Sequence, residues 1–327
     1  MKSIYKFSVV FFTAIASIGL WQSVIAAEEP QIATWVAANI DTNPTVSPDG
    51  REKIFQSNRS GRRALYRRSA DGGPVSLFLN SGDEPRYADW SPDGTRIVFA
   101  AEVNGEDDIF VIDADGSNRQ RLTTDPARDG HPRWSPDGTR VFFNSERVAS
   151  EPEAPQTGED VVDIFSVRAD GTDLTRHTWC RSECSYPSVS LDGKTLLFRR
   201  VFWTIGADGD RIRNSDIVKS NLDGSNEINL TDNPAYDVYP IWSHDDQWVY
   251  FSSVRPASER QMHLWRVSAN GGEPERLTGG EWHHRQAVPD RIGCKIYMYT
   301  FKRTQQPNAT RGVAVGHIGS IDVSPAC

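Results

Sequence analysis

The sequence predicts an all-β chain, a six-bladed β-propeller with four-stranded blades. Three observations carry this. The tetrapeptide Ser-Pro-Asp-Gly stands at residues 47–50, 91–94 and 135–138, in two steps of 44 residues. Worn copies follow at Ser190-Leu191-Asp192-Gly193, Ser243-His244-Asp245-Asp246 and Val288-Pro289-Asp290-Arg291, which makes six units. Between the copies, short runs of β-formers alternate with Gly-, Asp- and Asn-rich turns, and no segment shows a sustained helical period with caps.

The elements follow in order within each unit. Pro presets φ at the first central position of the turn, Asp tolerates the second, and Gly takes the left-handed angle after it. One innermost strand must turn back on its neighbour in every blade, so the same tetrapeptide recurs. An apolar second strand comes next, as in RIVFAAE, RVFFNSE, TLLFRR, WVYFSS and KIYMYTF. A third strand ends in a second tight turn, as in DIFVIDADG, DIFSVRADG, DIVKSNLDG and HLWRVSANGG. A short fourth strand closes the unit, as in RQRLTT, EINLTD and PERLTG. Four strands in about 44 residues, six times over, is the pattern of propeller blades.

The ends have their own readings. Lys2 and Lys6 precede an apolar run from Phe7 to Trp21 and small residues near Ala27, so residues 1–27 read as a secretory signal peptide. Residues 28–40 form an N-terminal segment in which residues 31–37 are a candidate ring-closing strand, and residues 41–327 form the propeller. Export places the chain in the periplasm or outside the cell, with no membrane span left after cleavage. The whole chain carries a net charge of −8, and the signal segment takes two lysines with it. So acidic a protein does not seek nucleic acid through bulk charge. The four cysteines, Cys180, Cys184, Cys294 and Cys327, read as disulfides in an oxidising compartment. Neighbour pairing, Cys180 with Cys184 and Cys294 with Cys327, is one of three connectivities.

Propeller topology sorts candidate functional residues by face. The loops into the first strand and between the second and third strands emerge at one end of the channel, and the Ser-Pro-Asp-Gly turns emerge at the other. Four residues before each turn stand Asn43, Tyr87, His131, Tyr186, Tyr239 and His284, a polar and aromatic ring at the channel mouth. Asp41, Asp129 and Asp237 lie two residues further back, with Arg86, His283 and Arg285 nearby. From these, Asn43, Tyr87, Asp129, His131, Tyr186, Asp237, Tyr239, His283 and His284 are candidates to hold a ligand or partner. For an enzyme, His131, Tyr239 or His284 would move the proton and Arg285 would hold a carboxylate. His131 and His284 fall on opposite blades, so one ion between them is disfavoured. The mouth would accept a divalent metal, but no residue is assigned to one and no cofactor is implied. Two long insertions, residues 148–162 and 201–214, lie on the same end in adjacent blades, the second with Trp203 as a candidate anchor.

The strand-turn-strand pattern P-x-W-S-P-D-G-x-x-I/V-x-F, followed by D-I-F-V-I-D-A-D-G-S-N-x-x-x-L-T, resembles the repeat of TolB-type propellers. The resemblance covers residues 41–290 and, more loosely, the rest. It implies a six-bladed propeller in the cell envelope and a Pal-like lipoprotein as partner. It extends to the propeller half only, since about fifteen residues between the expected cleavage site and the first blade leave no room for the α/β domain that precedes it in TolB. Some propellers of this type are polysaccharide lyases that use histidines and a divalent metal, which makes a saccharide the alternative ligand. Others front serine peptidases, but no G-x-S-x-G elbow occurs here. The reading is a binding or scaffold module, with a lyase-like enzyme as the alternative.

Overall fold

A computed structural model describes residues 40–147, 161–205, 209–255, 261–291, 293–304 and 313–323. These residues form six antiparallel sheets in chain order and no α-helix. Blade one holds β1 (Asp41–Val46), β2 (Glu52–Ser57), β3 (Ala64–Ser69) and β4 (Gly72–Leu79). Blade two holds β5 (Arg86–Trp90), β6 (Arg96–Val103), β7 (Glu106–Asp113) and β8 (Gln120–Arg121). Blade three holds β9 (Asp129–Trp134), β10 (Arg140–Ser145), β11 (Asp163–Arg168) and β12 (Thr175–Arg176). Blade four holds β13 (Cys184–Val189), β14 (Thr195–Ile205), β15 (Arg211–Asn221) and β16 (Ile228–Asn229). Blade five holds β17 (Asp237–Trp242), β18 (Trp248–Ser253), β19 (His263–Ser268) and β20 (Glu275–Arg276). Blade six has three described strands, β21 (His283–Pro289), β22 (Lys295–Thr304) and β23 (Val313–Asp322). Ile40 bridges in parallel to Gly316 of β23, so chain just ahead of blade one reaches the open edge of blade six. Residues 1–39, including the expected signal peptide and residues 31–37, lie outside the described residues.

The repeated turn is held by one set of bonds. Gly50, Gly94, Gly138 and Gly193 donate their N–H to the carbonyl of the turn's Ser and have left-handed φ near 70°. The Ser hydroxyl donates to the Asp two residues on, at 2.6–2.7 Å in five blades, and accepts the amide five residues on in the same five. The Asp is therefore keyed to the Ser and is more than a tolerated turn residue. In blade six the same frame runs from Asp290 to Gly293: Asp290 donates to the carbonyl of Lys295, and Gly293 to the carbonyl of Asp290. The turn there starts two residues later than Val288-Pro289-Asp290-Arg291 suggests, because Asp290 takes the place of Ser and Gly293 the place of Gly.

Strand hydrophobicity builds the core between blades. Buried clusters such as Val98, Val111, Trp134 and Phe143 join blade two to blade three, and Val46, Val288 and Tyr297 join blade one to blade six. Cys180 and Cys184 form a disulfide in the connection into blade four. Cys294 is also disulfide-bonded. Cys327, the partner expected for it, lies outside the described residues. The insertion at residues 201–214 is a correction to the expected loop. It is a hairpin arm, in which β14 and β15 run on for eleven residues each against six in β10 and β18. Its two sides, V-F-W-T-I and R-I-R, are strand-forming. Residues 148–160 of the other insertion lie outside the described residues.

Candidate functional site

Each innermost strand carries a bulge at one place. In blade one, register jumps between Thr42 and Thr45, leaving Asn43 and Pro44 opposite the single residue Phe55. The same jump recurs at Tyr87-Ala88, His131-Pro132, Tyr186-Pro187, Tyr239-Pro240 and Gln286-Ala287. The residue opposite is a buried Phe in five blades and Met298 in the sixth. The first residue of every bulge is left-handed, with φ between 50° and 59°. Proline follows without loss because a bulge has no ladder bond for its missing N–H. Six bulges thus present six side chains to the channel.

These six line one chamber of about 40 Å³, room for a few waters. Its wall is an aromatic arc. Ring centroids lie 3.9 Å apart for Tyr87 and His131, 4.3 Å for His131 and Tyr186, and 4.7 Å for Tyr186 and Tyr239. Asn43, bonded to Gln56 at 2.8 Å, and Gln286 supply amides in blades one and six. The channel widens toward the Ser-Pro-Asp-Gly end into a cavity of about 360 Å³, lined by Asp89, Arg133, Trp134, His244 and Asp290 among others.

The ring of the sequence reading needs one correction. Five of its positions line the chamber, but blade six contributes Gln286 and not His284. The cause is the two-residue offset of the turn at Asp290. The spacing of Asp290, Gly293 and Lys295, equal to that of Ser47, Gly50 and Glu52, is the signal that would have found it.

Electrostatics keep the ring neutral. Burial, then the nearby Arg199, Arg128 and Arg133, push the His131 pKa down to about 3, and its Nδ1 lies 3.1 Å from the Asn144 amide oxygen. Burial raises Tyr87 and carries Tyr186 well above the usual tyrosine range. Arg199 packs its guanidinium 4.8 Å from the Tyr186 ring, donates to the Tyr236 hydroxyl at 2.7 Å and pairs with Glu183. Glu183 also pairs with Arg213 on the blade-four arm, where Arg211 lies 4.6 Å over the half-exposed Trp203. The arm is thereby tied to the ring.

The expected aspartates have another role. Asp41, Asp129 and Asp237 each receive an arginine, Arg59, Arg147 and Arg255, whose Nε also bonds the serine at the end of the second strand. These clamps stand in blades one, three and five. Asp129 and Asp237 are fully buried; burial raises both, Asp237 to about 6 against the pull of Arg255.

His283 stacks on Phe301 at 4.5 Å and its Nδ1 accepts the Met262 amide at 3.2 Å. Arg285 lies 5.1 Å over the same Phe301 ring. His284 points to another neighbour, the buried His263, with their Nδ1 atoms 3.4 Å apart. Burial, then His263 and His283, lowers the His284 pKa to about 4. Asp163, Cys180 and Cys184 cluster within metal-ligand range, but the two sulfurs are bonded to each other and Asp163 accepts the Cys180 amide at 2.7 Å, so this is a structural staple.

Residues 80–202 match the TolB beta propeller domain. An uncharacterized protein of Agrobacterium fabrum is 30% identical over 86 residues, which are 26% of this chain and 28% of that protein. Among solved structures, TolB from Acinetobacter baumannii matches at TM-score 0.58 and 21% identity over 74% of this chain and 55% of its own length. An oligogalacturonate lyase from Vibrio parahaemolyticus matches at TM-score 0.58 and 13% identity, over 88% of this chain and 78% of the lyase. At these identities the structural matches speak for the fold. This chain spans about a quarter of the curated relative and about half of that TolB.

Proposed function

We propose that this chain, a TolB-type β-propeller repeat protein, is an exported binding module of the cell envelope that holds a protein partner at the ring end of its channel. The observation that carries this is the aromatic arc of Tyr87, His131, Tyr186 and Tyr239, set on four of the six bulged strands. Such a surface offers stacking area and hydrogen bonds at little entropic cost, as partner-binding sites do. The disulfides suit an oxidising compartment. Among the described residues no helix is long and apolar enough to cross a membrane. The TolB likeness makes a Pal-like lipoprotein the first partner to try.

The lyase alternative asks for a proton-moving group near neutral pKa. His131 at about 3 and His284 at about 4 lie far below that, and Asp237, at about 6, is buried and clamped by Arg255. A photo-crosslinking residue placed at Trp203, on the blade-four arm, tests the proposal against one at Leu191, exposed near the opposite end. A single envelope protein captured from Trp203 alone, and lost with Tyr87→Ala or Tyr239→Ala, is the expected result. Capture from Leu191 alone, or cleavage of oligogalacturonides to unsaturated products that those variants abolish, would overturn it.

A further inference from the structure

In three blades an aspartate of the third strand forms the same clamp with the fourth. Asp108, Asp163 and Asp216 lie on β7, β11 and β15, each just before the isoleucine that the clamp's threonine will hold. Each accepts from the fourth strand: Asp108 from Arg121, Asp163 from Arg176 at 2.7 Å, and Asp216 from Asn229 at 2.7 Å. A threonine two residues further on accepts the next backbone amide in each, as Thr123, Thr178 and Thr231 do from Ile109, Ile164 and Ile217. Blade five keeps the frame. Leu264 donates to Thr278 at 2.9 Å, and Arg276 donates to the Thr278 carbonyl at 2.7 Å. In place of the aspartate stands His263, fully buried, and among the described side chains it meets His284 of blade six.

We propose that His263 and His284 bind a divalent transition-metal ion of the zinc class through their Nδ1 atoms, joining blade five to blade six. Their Nδ1 atoms lie 3.4 Å apart. Two nitrogens about 2.0–2.1 Å from one tetrahedral ion stand about 3.3–3.4 Å apart, whereas a right-angled octahedral pair would stand at about 3.0 Å. The pair is held at that separation by backbone, since His284 donates its amide to the Met262 carbonyl at 2.7 Å. Burial apart, the described groups that act most on His284 are His263, His283, Arg276 and His317. A set of neutral imidazoles selects zinc, copper or nickel over calcium and magnesium. The nearby Arg276 opposes any cation, so affinity comes from the coordinate bonds. Solvent completes the shell from the half-buried His284 side, where the register His284–Thr300–His317 sets the exposed His317 on the same face of the sheet. His283 faces Phe301 and is not a ligand.

The test is a zinc titration of tag-free, chelator-stripped protein by calorimetry, with elemental analysis of the dialysed product. One zinc per chain, Kd in the micromolar range or tighter, and an upward shift of Tm with zinc are expected. His263→Asn and His284→Asn each weaken binding at least about tenfold, as loss of one of two protein ligands requires. His244→Asn, on the far turn, leaves it unchanged. If His263→Asn does not fold, His284→Asn alone decides, because its ring is only partly enclosed. A folded wild type that takes up no zinc, or zinc binding that survives both substitutions, overturns the proposal.

Discussion

Tyr87, His131, Tyr186 and Tyr239 hold a left-handed backbone that bulky residues adopt at a cost on the order of 1 kcal/mol or more each. The bulge over-determines it, with Pro or Ala on one side and a buried Phe opposite, so the strain is built into the blade and aims the side chain inward. His131 shows what that enclosure does to chemistry. Its folded pKa of about 3 lies below its unfolded value near 6.5. The stability this group contributes is complete above pH 6.5 and is lost as pH falls toward 3. The His131 ring resonance should therefore stay at its neutral position by NMR from pH 8 down to 5. Urea unfolding at pH 7 and pH 4.5 should show a larger acid loss for wild type than for His131→Asn. A midpoint near 6.5 would mean that water reaches the ring.

At the scale of elements, the arginine clamps fix where the second strand leaves each odd blade. Asp237 and Arg255 are both buried, and removing one partner of a buried pair leaves an uncompensated charge. Arg255→Met should cost about 3–5 kcal/mol at pH 7.5. Asp237 already titrates near 6 and rises further without its arginine, so the penalty should shrink by pH 5, where the carboxyl takes up a proton. Equal penalties at both pH values by urea denaturation would assign the loss to packing. The Cys180–Cys184 disulfide closes a short loop, and Cys180→Ser with Cys184→Ser should cost about 2 kcal/mol by the same measurement. These elements differ in how far the sequence announces them. The turns and strands are local chemistry: Ser, Asp and Gly bond within six residues, and apolar alternation needs no partner. The bulges, the clamps and the His263–His284 contact are tertiary. Asp237 looks like a mouth ligand until Arg255, eighteen residues on, is seen to reach it. His284 looks like a ring residue until the turn at Asp290 is placed. The arm was legible as an insertion, but its strand pairing depends on β14 and β15 finding each other across the tip.

For the whole molecule, stability depends on closing the ring between blade six and blade one, and one residue at that seam breaks the repeat. Ile97, Val141, Leu196, Val249 and Ile296 fill the second position of the second strand in five blades, and Lys53 stands there in blade one. It is buried, with its ammonium 4.7 Å from the centre of the Tyr297 ring of blade six. Cation–π attraction of about 1–2 kcal/mol offsets only part of the desolvation, and burial, then Arg68, pull the pKa of Lys53 down to about 8. The folded pKa is depressed below the unfolded value near 10.4. Between about pH 8 and 10.4 the unfolded chain holds the proton that the folded chain has released, so this group adds stability as pH rises through that window. Below pH 8 the folded state carries the full cost of the buried charge. Lys53→Met, which restores an apolar side chain of similar length, should therefore stabilise the ring by about 2 kcal/mol at pH 7, with the gain shrinking by pH 9.5. Thermal and urea unfolding of both proteins at the two pH values measures it. A variant less stable than wild type at pH 7 would show that the Lys53–Tyr297 contact closes the ring and that its desolvation does not oppose closure.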